Sequence, residues 1–209
     1  MKKEISIADW KRKDHFEFFS QFEEPFFGVI VNIEVTKAYD FATRNAVSFF
    51  LLYLHQALKA ANQTEEFRFR IIDGKVFLFD RINASPTINR EDGTFGFAYM
   101  DYEEDKELFY AKAKQEIARV RSEKGLIPAV SGENVIHFSA VPWLHFTGLS
   151  HARSFSFPDS APKISFGKII WENGKALMPV SIHAHHGLMD GYHAGLFVNK
   201  FQKFMDAYS

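Results

Sequence analysis

The sequence lacks cysteine, a strong excess of charge of one sign and any long apolar run. Without cysteine, a disulfide scaffold, a thiolate nucleophile and a thiolate metal site are excluded. The formal net charge of -1 argues against an electrostatic nucleic-acid binder and against a disordered chain. The longest apolar run, at 47–54, is far shorter than the ~20 residues that a membrane span needs, and the N-terminus has no apolar segment typical of a signal peptide. We therefore expect a cytoplasmic protein that contacts neither nucleic acid nor membrane.

What is present fits a compact fold. The chain has 209 residues, of which 46% are hydrophobic, and no linker rich in proline, glycine or serine divides it. This predicts a single domain over residues 1–209. The chain also has 24 phenylalanines, which indicate a core or pocket built from flat aromatic rings.

Helical and extended patterns alternate along the chain. Hydrophobic spacing predicts helices after an N-cap at Asp9 and over residues 42–61, 103–124 and 191–207. The last of these helices has a predicted buried aromatic stripe formed by Phe197, Phe201, Phe204 and Tyr208. Strands are predicted at 26–35, 66–72, 75–79, 135–141, 163–171 and 175–184, and Asp73-Gly74 is a hairpin signal between two of them. This order predicts an α/β fold, a two-layer sandwich of helices on a mixed, largely antiparallel sheet.

The most informative stretch is the histidine-rich segment at 176–193. In an extended strand every second residue shares a face, so the even-numbered positions from Met178 to Ala184 form one apolar face. His186 continues that face where the strand gives way to a turn, whereas His183 and His185 point the other way. We therefore expect His186 to be partly buried, neutral at pH 7 and within reach of a ligand, as suits a general base.

Three interpretations of this segment stay open on the residues alone. The first is a histidine packed in the core with no chemical role. The second is a metal site formed by His183, His185, His186 and His193. Diverging neighbours on a strand and the lack of helical H-E-x-x-H spacing argue against it. The third is general-base catalysis through H-x-x-x-D-G, which His186, Asp190 and Gly191 match.

Several segments, in order and at near-constant spacing, resemble the type A chloramphenicol acetyltransferases. They are WKRKDHFE at 10–17, EFR at 66–68 ahead of Asp73-Gly74, SAVPW at 139–143, LMP at 177–179 and HAHHGLMDGYH at 183–193. The resemblance implies the fold of that family and an acyltransferase associated with antibiotic resistance. It also implies acetyl-CoA as co-substrate, no metal, and transfer to a hydroxyl of chloramphenicol or a related small alcohol.

The resemblance assigns roles to individual residues. His186 would be the general base that takes the proton of the acceptor hydroxyl, which then attacks the thioester directly in a ternary complex. Ser139 would donate to the oxyanion of the tetrahedral intermediate, and Ser165 would assist through water. Asp190 and Arg12 would form a buried ion pair that holds the active-site loop.

The remaining implied sites are for substrates. Trp143 and Lys168 match positions near the coenzyme, where a ring stacks and an ammonium meets phosphate. The acceptor pocket would include Phe19, Phe27, Phe95 and His137, and it would lie between the subunits of a homotrimer.

Three acceptor-pocket positions depart from the family pattern. His137 replaces an asparagine, Glu23 takes an apolar position, and Phe97 stands where a small residue is expected. The acceptor is therefore open. The alternatives are a same-fold acyltransferase with a different acceptor or acyl carrier, and a small-molecule binder without catalysis.

Overall fold

The computed structural model describes residues 1–126, 132–153 and 159–209. The α-helices of this part are α1 (Lys13–Phe19), α2 (Thr36–Arg44), α3 (Phe49–Asn62), α4 (Lys106–Ser122) and α5 (Gly191–Asp206). The strands are β1 (Lys2–Glu4), β2 (Phe26–Glu34), β3 (Phe69–Ile72), β4 (Lys75–Phe79), β5 (Asn83–Asn89), β6 (Phe95–Phe97), β7 (Val135–Val141), β8 (Lys163–Gly167), β9 (Ile170–Glu172) and β10 (Lys175–His185).

The main sheet has the strand order β2-β10-β8-β7-β5-β6, and β9 pairs with β10 beside this path. β7 pairs in parallel with both β8 and β5, and the other described pairings of this sheet are antiparallel. The predicted hairpin at Asp73-Gly74 joins β3 to β4, and β1 extends this hairpin into a small second sheet that the sequence did not predict.

The helices cover one face of the main sheet. Ile182 of β10, Phe166 of β8 and Phe138 of β7 are buried in one cluster with residues of α2, α3, α4 and α5. Phe197 and Phe201, on the predicted stripe of the last helix, are fully buried in it, and each such side chain stabilises the fold by roughly 2–3 kcal/mol. The predicted two-layer α/β sandwich is thus confirmed.

The single helix predicted at 42–61 is wrong, because the chain forms two helices there. α2 starts earlier, at Thr36, and ends at Arg44. Ala46 then has a φ of 52°, in the left-handed region that ends a helix. Ser48 caps α3, since its hydroxyl accepts a hydrogen bond from the Leu51 N–H at 3.4 Å. The apolar run continued across this break, so the hydrophobic pattern did not reveal it.

Other predicted boundaries also shift, each for a local reason. Asp9 is not a helix N-cap, because its carboxylate accepts a hydrogen bond from the Ser6 hydroxyl at 2.8 Å and α1 begins later, after Arg12. The strand predicted from Glu66 starts after a short 3-10 turn. The strand predicted at 163–171 divides into β8 and β9, since the Lys168 N–H bonds to the carbonyl of Leu144 instead of to a neighbouring strand.

In the part of the chain that the structure describes, no helix combines the length and apolar character needed to cross a membrane. The cytoplasmic location and the single domain over 1–209 stay predictions.

Candidate active site

His186 lies directly after the last residue of β10, at the end of the sheet. β10 is held on both edges, because it pairs with β2 on one side and with β8 on the other. The His186 N–H donates to the carbonyl of Pro25 at 2.8 Å, so contact with the chain leading into β2 continues beyond the strand. The half-buried imidazole is therefore fixed where the apolar face opens.

Two phenylalanines flank the imidazole of His186. The ring of Phe19 is stacked on it, with centroids 4.0 Å apart and planes 4° apart. The ring of Phe27 lies 4.7 Å away at 47°. Among the described residues the buried Nδ1 has no hydrogen-bond partner. The described contacts of the imidazole are thus with aromatic rings rather than with a carboxylate. Its ring nitrogens are therefore available for hydrogen bonds to a ligand.

A series of polar contacts holds the loop after His186. Arg12 donates to the Asp190 carboxylate at 2.8 Å and to the His186 carbonyl at 3.1 Å. His193 Nδ1 lies 2.9 Å from the other oxygen of Asp190, and its Nε2 lies 3.3 Å from Glu66. We call these four side chains (Arg12, Asp190, His193 and Glu66) the clamp. It ties three distant parts of the sequence to the backbone of His186.

Asp190 has two roles in this clamp. It is the N-cap of α5, because its side chain accepts a hydrogen bond from the Tyr192 N–H at 3.0 Å. Partial burial by itself raises its pKa, but the hydrogen bond from Arg12 and the nearby His193 outweigh this and lower the pKa to about 2. The carboxylate is therefore charged at neutral pH. Arg12 is 5% exposed, so the pair is buried on the side of the guanidinium.

The sheet face opposite the helices carries a row of hydroxyl groups. Ser139 of β7, Ser165 of β8 and Ser181 of β10 are in register across neighbouring strands. Thr87 of β5 continues the row, with its Oγ1 3.4 Å from the Ser139 Oγ. We call these four residues the hydroxyl row. Ser165 Oγ is buried with no partner among the described residues, whereas Ser139 is half-buried and accessible.

A second polar row lies beside the first, two residues along each strand. His137 pairs with Lys163, which pairs with His183. Lys163 forms an ion pair with Asp159. Burial, together with the Lys163 cation, lowers the pKa of His137 well below its usual range, so its imidazole is uncharged at neutral pH. A Cβ at Gly28 would lie 2.5 Å from His183 Nε2, so that position excludes a side chain.

One chain does not bring His186 and Ser139 together. Ser139 is level with Ser181, and β10 continues four residues further, to His185, before His186. At about 3.3 Å per residue and about 4.8 Å per strand, the Cα atoms of Ser139 and His185 are roughly 16 Å apart. The His186 imidazole contacts Phe27, which pairs with Ala184 on the apolar face of β10, whereas Ser139 lies in the hydroxyl row on the opposite face.

A cavity of about 780 Å³ opens beside the hydroxyl row, between α3, α4 and the ends of β7 and β8. Trp143 and Lys168, assigned to the coenzyme by resemblance, both line it, as does Thr87. Trp143 is 62% exposed, so its ring is not core filling. Trp143, Lys168 and Thr87 thus line a cavity that adjoins the hydroxyl row, in which Thr87 contacts Ser139.

The remaining acceptor residues are more scattered. Phe95 is exposed in β6, where its ring meets that of Phe97 edge-on at 5.6 Å. Glu23 is exposed between α1 and β2. Within one chain neither lies among the described contacts of His186, in contrast to Phe19 and Phe27.

The sequence reasoning missed Thr87, although a signal for it existed. In β5 the alternation of Ala84, Pro86 and Ile88 with polar neighbours is that of a strand, but Pro86 weakens the strand propensity. It also missed that His193 and Glu66 join the ion pair, since neither position alone indicates a contact.

Comparison with known proteins identifies the family of this chain. The sequence profile of the family described as "Chloramphenicol acetyltransferase" matches residues 2–202. A chloramphenicol acetyltransferase from Proteus mirabilis is 29% identical over 205 residues, covering 97% of this chain and 94% of that protein. A solved structure of a chloramphenicol acetyltransferase is 33% identical, with a TM-score of 0.90 over 98% of this chain and all of that one.

A more distant solved structure is similar in fold alone. A probable dihydrolipoamide acetyltransferase from Listeria monocytogenes has a TM-score of 0.70 at 14% identity, over 99% of this chain and 95% of that one. The profile match spans almost the whole chain, and the relatives named above are aligned over nearly their full length. This chain therefore belongs to the chloramphenicol acetyltransferase family and is an acyltransferase.

Proposed function

We propose that the protein transfers the acetyl group of acetyl-CoA to a hydroxyl of chloramphenicol or a related small alcohol. One observation carries the proposal: the half-buried imidazole of His186 stands at the end of the sheet, tied through its own carbonyl to the Arg12–Asp190 pair. The names of the relatives support the acceptor.

His186 acts as general base in this proposal. A neutral hydroxyl is a poor nucleophile, and a positioned base contributes typically about 10²–10⁴-fold to the rate. The imidazole takes the proton of the acceptor hydroxyl while the oxygen attacks the thioester carbonyl. The tetrahedral intermediate then expels the coenzyme thiolate, which receives the proton from the imidazolium.

The hydroxyl row supplies the donor for the developing negative charge. Ser139 is its accessible member, and its hydroxyl donates to the oxyanion of the tetrahedral intermediate. Ser165 lies next to it in register, with its buried hydroxyl free among the described residues to bind a bridging water. A donor that is in place before the reaction lowers the barrier without reorganisation.

The proposed site needs two copies of the chain. Hydrogen-bond reach is about 3 Å, whereas the Cα atoms of Ser139 and His185, the residue before the base, are roughly 16 Å apart. Within one chain the base and the donor therefore cannot serve the same acyl carbon. Two different surfaces must therefore meet, one with His186 and one with Ser139. Such head-to-tail contacts close into rings, and we propose the homotrimer with active sites between subunits.

The 780 Å³ cavity would bind the acyl donor, acetyl-CoA. It is large enough for a cofactor-sized ligand, and Thr87 connects it to Ser139. The exposed ring of Trp143 offers a stacking surface, and the ammonium of Lys168 meets a phosphate. The acceptor would lie on the other side, against Phe19 and Phe27 from the base-bearing chain, and against Phe95 and His137.

A thiol-release assay with acetyl-CoA and chloramphenicol tests the reaction. The chain has no cysteine, so it adds no thiol signal. We expect His186→Ala to lower kcat by about 10²–10⁴-fold with nearly unchanged affinity for CoA, because a base acts in the transition state. His15→Ala, at an exposed histidine, is the matched control. A variant that keeps more than about a tenth of the rate contradicts the role of His186.

Subunit mixing tests the shared site. His186→Ala and Ser139→Ala chains, each defective alone, should regain activity when refolded together. About a quarter of the mixed sites would then combine an intact base with an intact donor from the neighbouring chain. Mixtures no more active than their components would contradict a site built from two copies.

A second candidate, transfer to a different acceptor, is favoured by the polar groups beside Ser139. His137 and the Lys163–Asp159 pair place hydrogen-bonding and charged groups where the resemblance implies an acceptor pocket. The same assay on a panel of hydroxylated acceptors separates the candidates. Faster turnover of a polar alcohol than of chloramphenicol would favour the second. Chloramphenicol binding without turnover, unchanged by His186→Ala, would instead favour a non-catalytic binder.

A further inference from the structure

The walls of the 780 Å³ cavity are charged with one sign. Lys114 and Arg121 line it from α4, and Lys168 lines it from the end of β8. Among the described residues that line it there is no aspartate or glutamate. A cavity with three cations and no carboxylate favours an anionic ligand. The anion loses water contacts when it enters, and charge-assisted contacts with the three cations replace them.

The two cations of α4 lie on the same face of the helix. Lys114 and Arg121 are seven residues apart, which is two turns, or about 10.5 Å along the axis. Ile117 and Ala118 lie between them and also line the cavity. The wall therefore has an apolar centre with a cation at each end.

These two cations differ from their neighbours on α4. Lys112 forms an ion pair with Glu103, and Arg119 pairs with Glu116 and Glu123. Within the described residues neither Lys114 nor Arg121 has such a partner, and both are exposed. Lys106, the other cation of α4 outside the cavity, lies over the rings of Phe41 and Tyr208. The two cavity-facing cations are thus left for a ligand.

The end of α4 that carries Arg121 is held in place. Arg90 donates to the carbonyl of Val120 at 2.9 Å and to the carbonyl of Gly125 at 2.7 Å. Its third contact is with the carbonyl of Phe95, at 3.0 Å. The last turn is thereby tied to the β5–β6 connection. Such fixing reduces the ordering that ligand binding would otherwise require.

We propose that Lys114 and Arg121 form a subsite for the phosphate groups of the acyl donor, a nucleotide thioester. The inference rests on the proposed function and names the residues that recognise the charged end of that substrate. Coenzyme A carries a pyrophosphate and a separate 3′-phosphate, which suits two cations that are two helical turns apart. Lys168 lines the same cavity from the end of β8.

Comparing two acyl donors tests the subsite. Acetyl-CoA and S-acetylpantetheine share the thioester, but the second has no phosphate. We expect Lys114→Ala and Arg121→Ala each to lower kcat/KM for acetyl-CoA about tenfold, as for the loss of one charge-assisted contact, mainly through KM. For S-acetylpantetheine the values should not change. Lys112→Ala, on the same helix outside the cavity, is the control, and unchanged melting temperatures exclude misfolding.

Each outcome decides a separate point. Equal losses with both donors, or no loss with acetyl-CoA, would overturn the subsite while leaving the proposed function intact. A wild-type protein that uses S-acetylpantetheine as well as acetyl-CoA would also overturn it. A wild-type protein that uses neither donor with any acceptor would overturn the proposed function and the subsite together.

Discussion

The clamp and the hydroxyl row differ in how far their polar side chains find partners within the chain. In the clamp, side-chain contacts within the chain run without a break from Glu66 through His193 and Asp190 to Arg12, which also bonds to the His186 carbonyl. In the hydroxyl row, Ser165 has no partner among the described residues, and Ser139 touches Thr87 at 3.4 Å. The first region fixes a base through contacts within the chain, although the buried Nε of Arg12 has no partner among the described residues. The second keeps donors for atoms that arrive with the substrates.

This difference predicts different consequences of mutation. Breaking the clamp removes contacts that the folded chain uses, so both the free energy of unfolding and the rate should fall. Breaking the hydroxyl row removes a group that the folded chain does not need, so the rate alone should fall. Four variants or conditions test this contrast.

The largest effect is expected for Asp190→Asn. An asparagine still caps α5, but the buried Arg12 guanidinium loses its counter-charge, which costs about 3 kcal/mol of unfolding free energy. Denaturant titration measures this. Asp105→Asn makes the same change at the N-cap of α4, where no cation is paired among the described residues, and should cost less than about 1 kcal/mol. Equal losses in the two variants would mean that the Arg12 contact contributes nothing.

Ser139→Ala should lower kcat on the order of 100-fold, because losing one oxyanion donor costs about 3 kcal/mol of transition-state stabilisation. Its melting temperature should stay that of the wild type. Ser181→Ala is the matched control, since Ser181 lies in the same row but bonds to His183 at 3.0 Å. A rate loss shared by both variants, or a large loss of stability in Ser139→Ala, would contradict the contrast.

Acid should separate the clamp from His185, the buried histidine that precedes the base, by the pH at which each loses stability. Asp190 has its pKa lowered to about 2 in the folded chain, below the unfolded value near 3.9. The clamp therefore contributes about 2 kcal/mol to the free energy of unfolding. This contribution is present above pH 4 and is lost as pH falls from about 4 to 2.

Burial, with Arg153 nearby, lowers the pKa of His185 to about 4. Below about pH 6.5 the unfolded chain takes up this proton first, so stability is lost from about pH 6.5 down to 4.

Two variants test which residue causes the loss of stability in each pH range. The free energy of unfolding is measured as a function of pH for each variant. Asp190→Asn should reduce the lower slope alone, and His185→Gln should reduce the upper slope alone. A single slope that both variants reduce would show that the groups titrate as one unit.

The smallest effect is expected for Ser165→Ala. Its hydroxyl is buried without a partner among the described residues, so its removal should leave stability equal or raise it by up to about 1 kcal/mol. If the hydroxyl holds a water near the oxyanion, kcat should fall only a few-fold, less than in Ser139→Ala. An unchanged kcat would limit the proposed role to Ser139.

The sequence predicted the periodic parts of this fold and missed those set by single residues. The apolar alternation of β10 and the aromatic stripe of α5 were read correctly, since each depends on a repeated pattern. The break before α3 depends on one residue, Ala46, in a left-handed conformation. The clamp depends on tertiary contacts between positions up to 178 residues apart, and only the Arg12–Asp190 pair was suggested, by resemblance.

In the candidate site, too, the sequence predicted what depends on a repeated pattern and missed what depends on tertiary structure. The position of His186 at the end of an apolar strand face follows from a period of two. The separation of His186 from Ser139 depends on strand order, which no local pattern states. The cavity-facing pair on α4 was also missed, because helical periodicity marks the buried stripe and not which charged neighbours lack a partner.

The stacking of Phe19 on His186 also makes this imidazole observable. A benzene ring parallel to it at 4.0 Å places the imidazole protons in the shielding cone of the aromatic ring current. The Hε1 resonance of His186 should therefore lie upfield of those of exposed histidines. Among the nine histidines of the chain, that displacement distinguishes the His186 signal from those of the exposed ones. The proton uptake of the proposed base can then be followed by magnetic resonance in the unmodified protein.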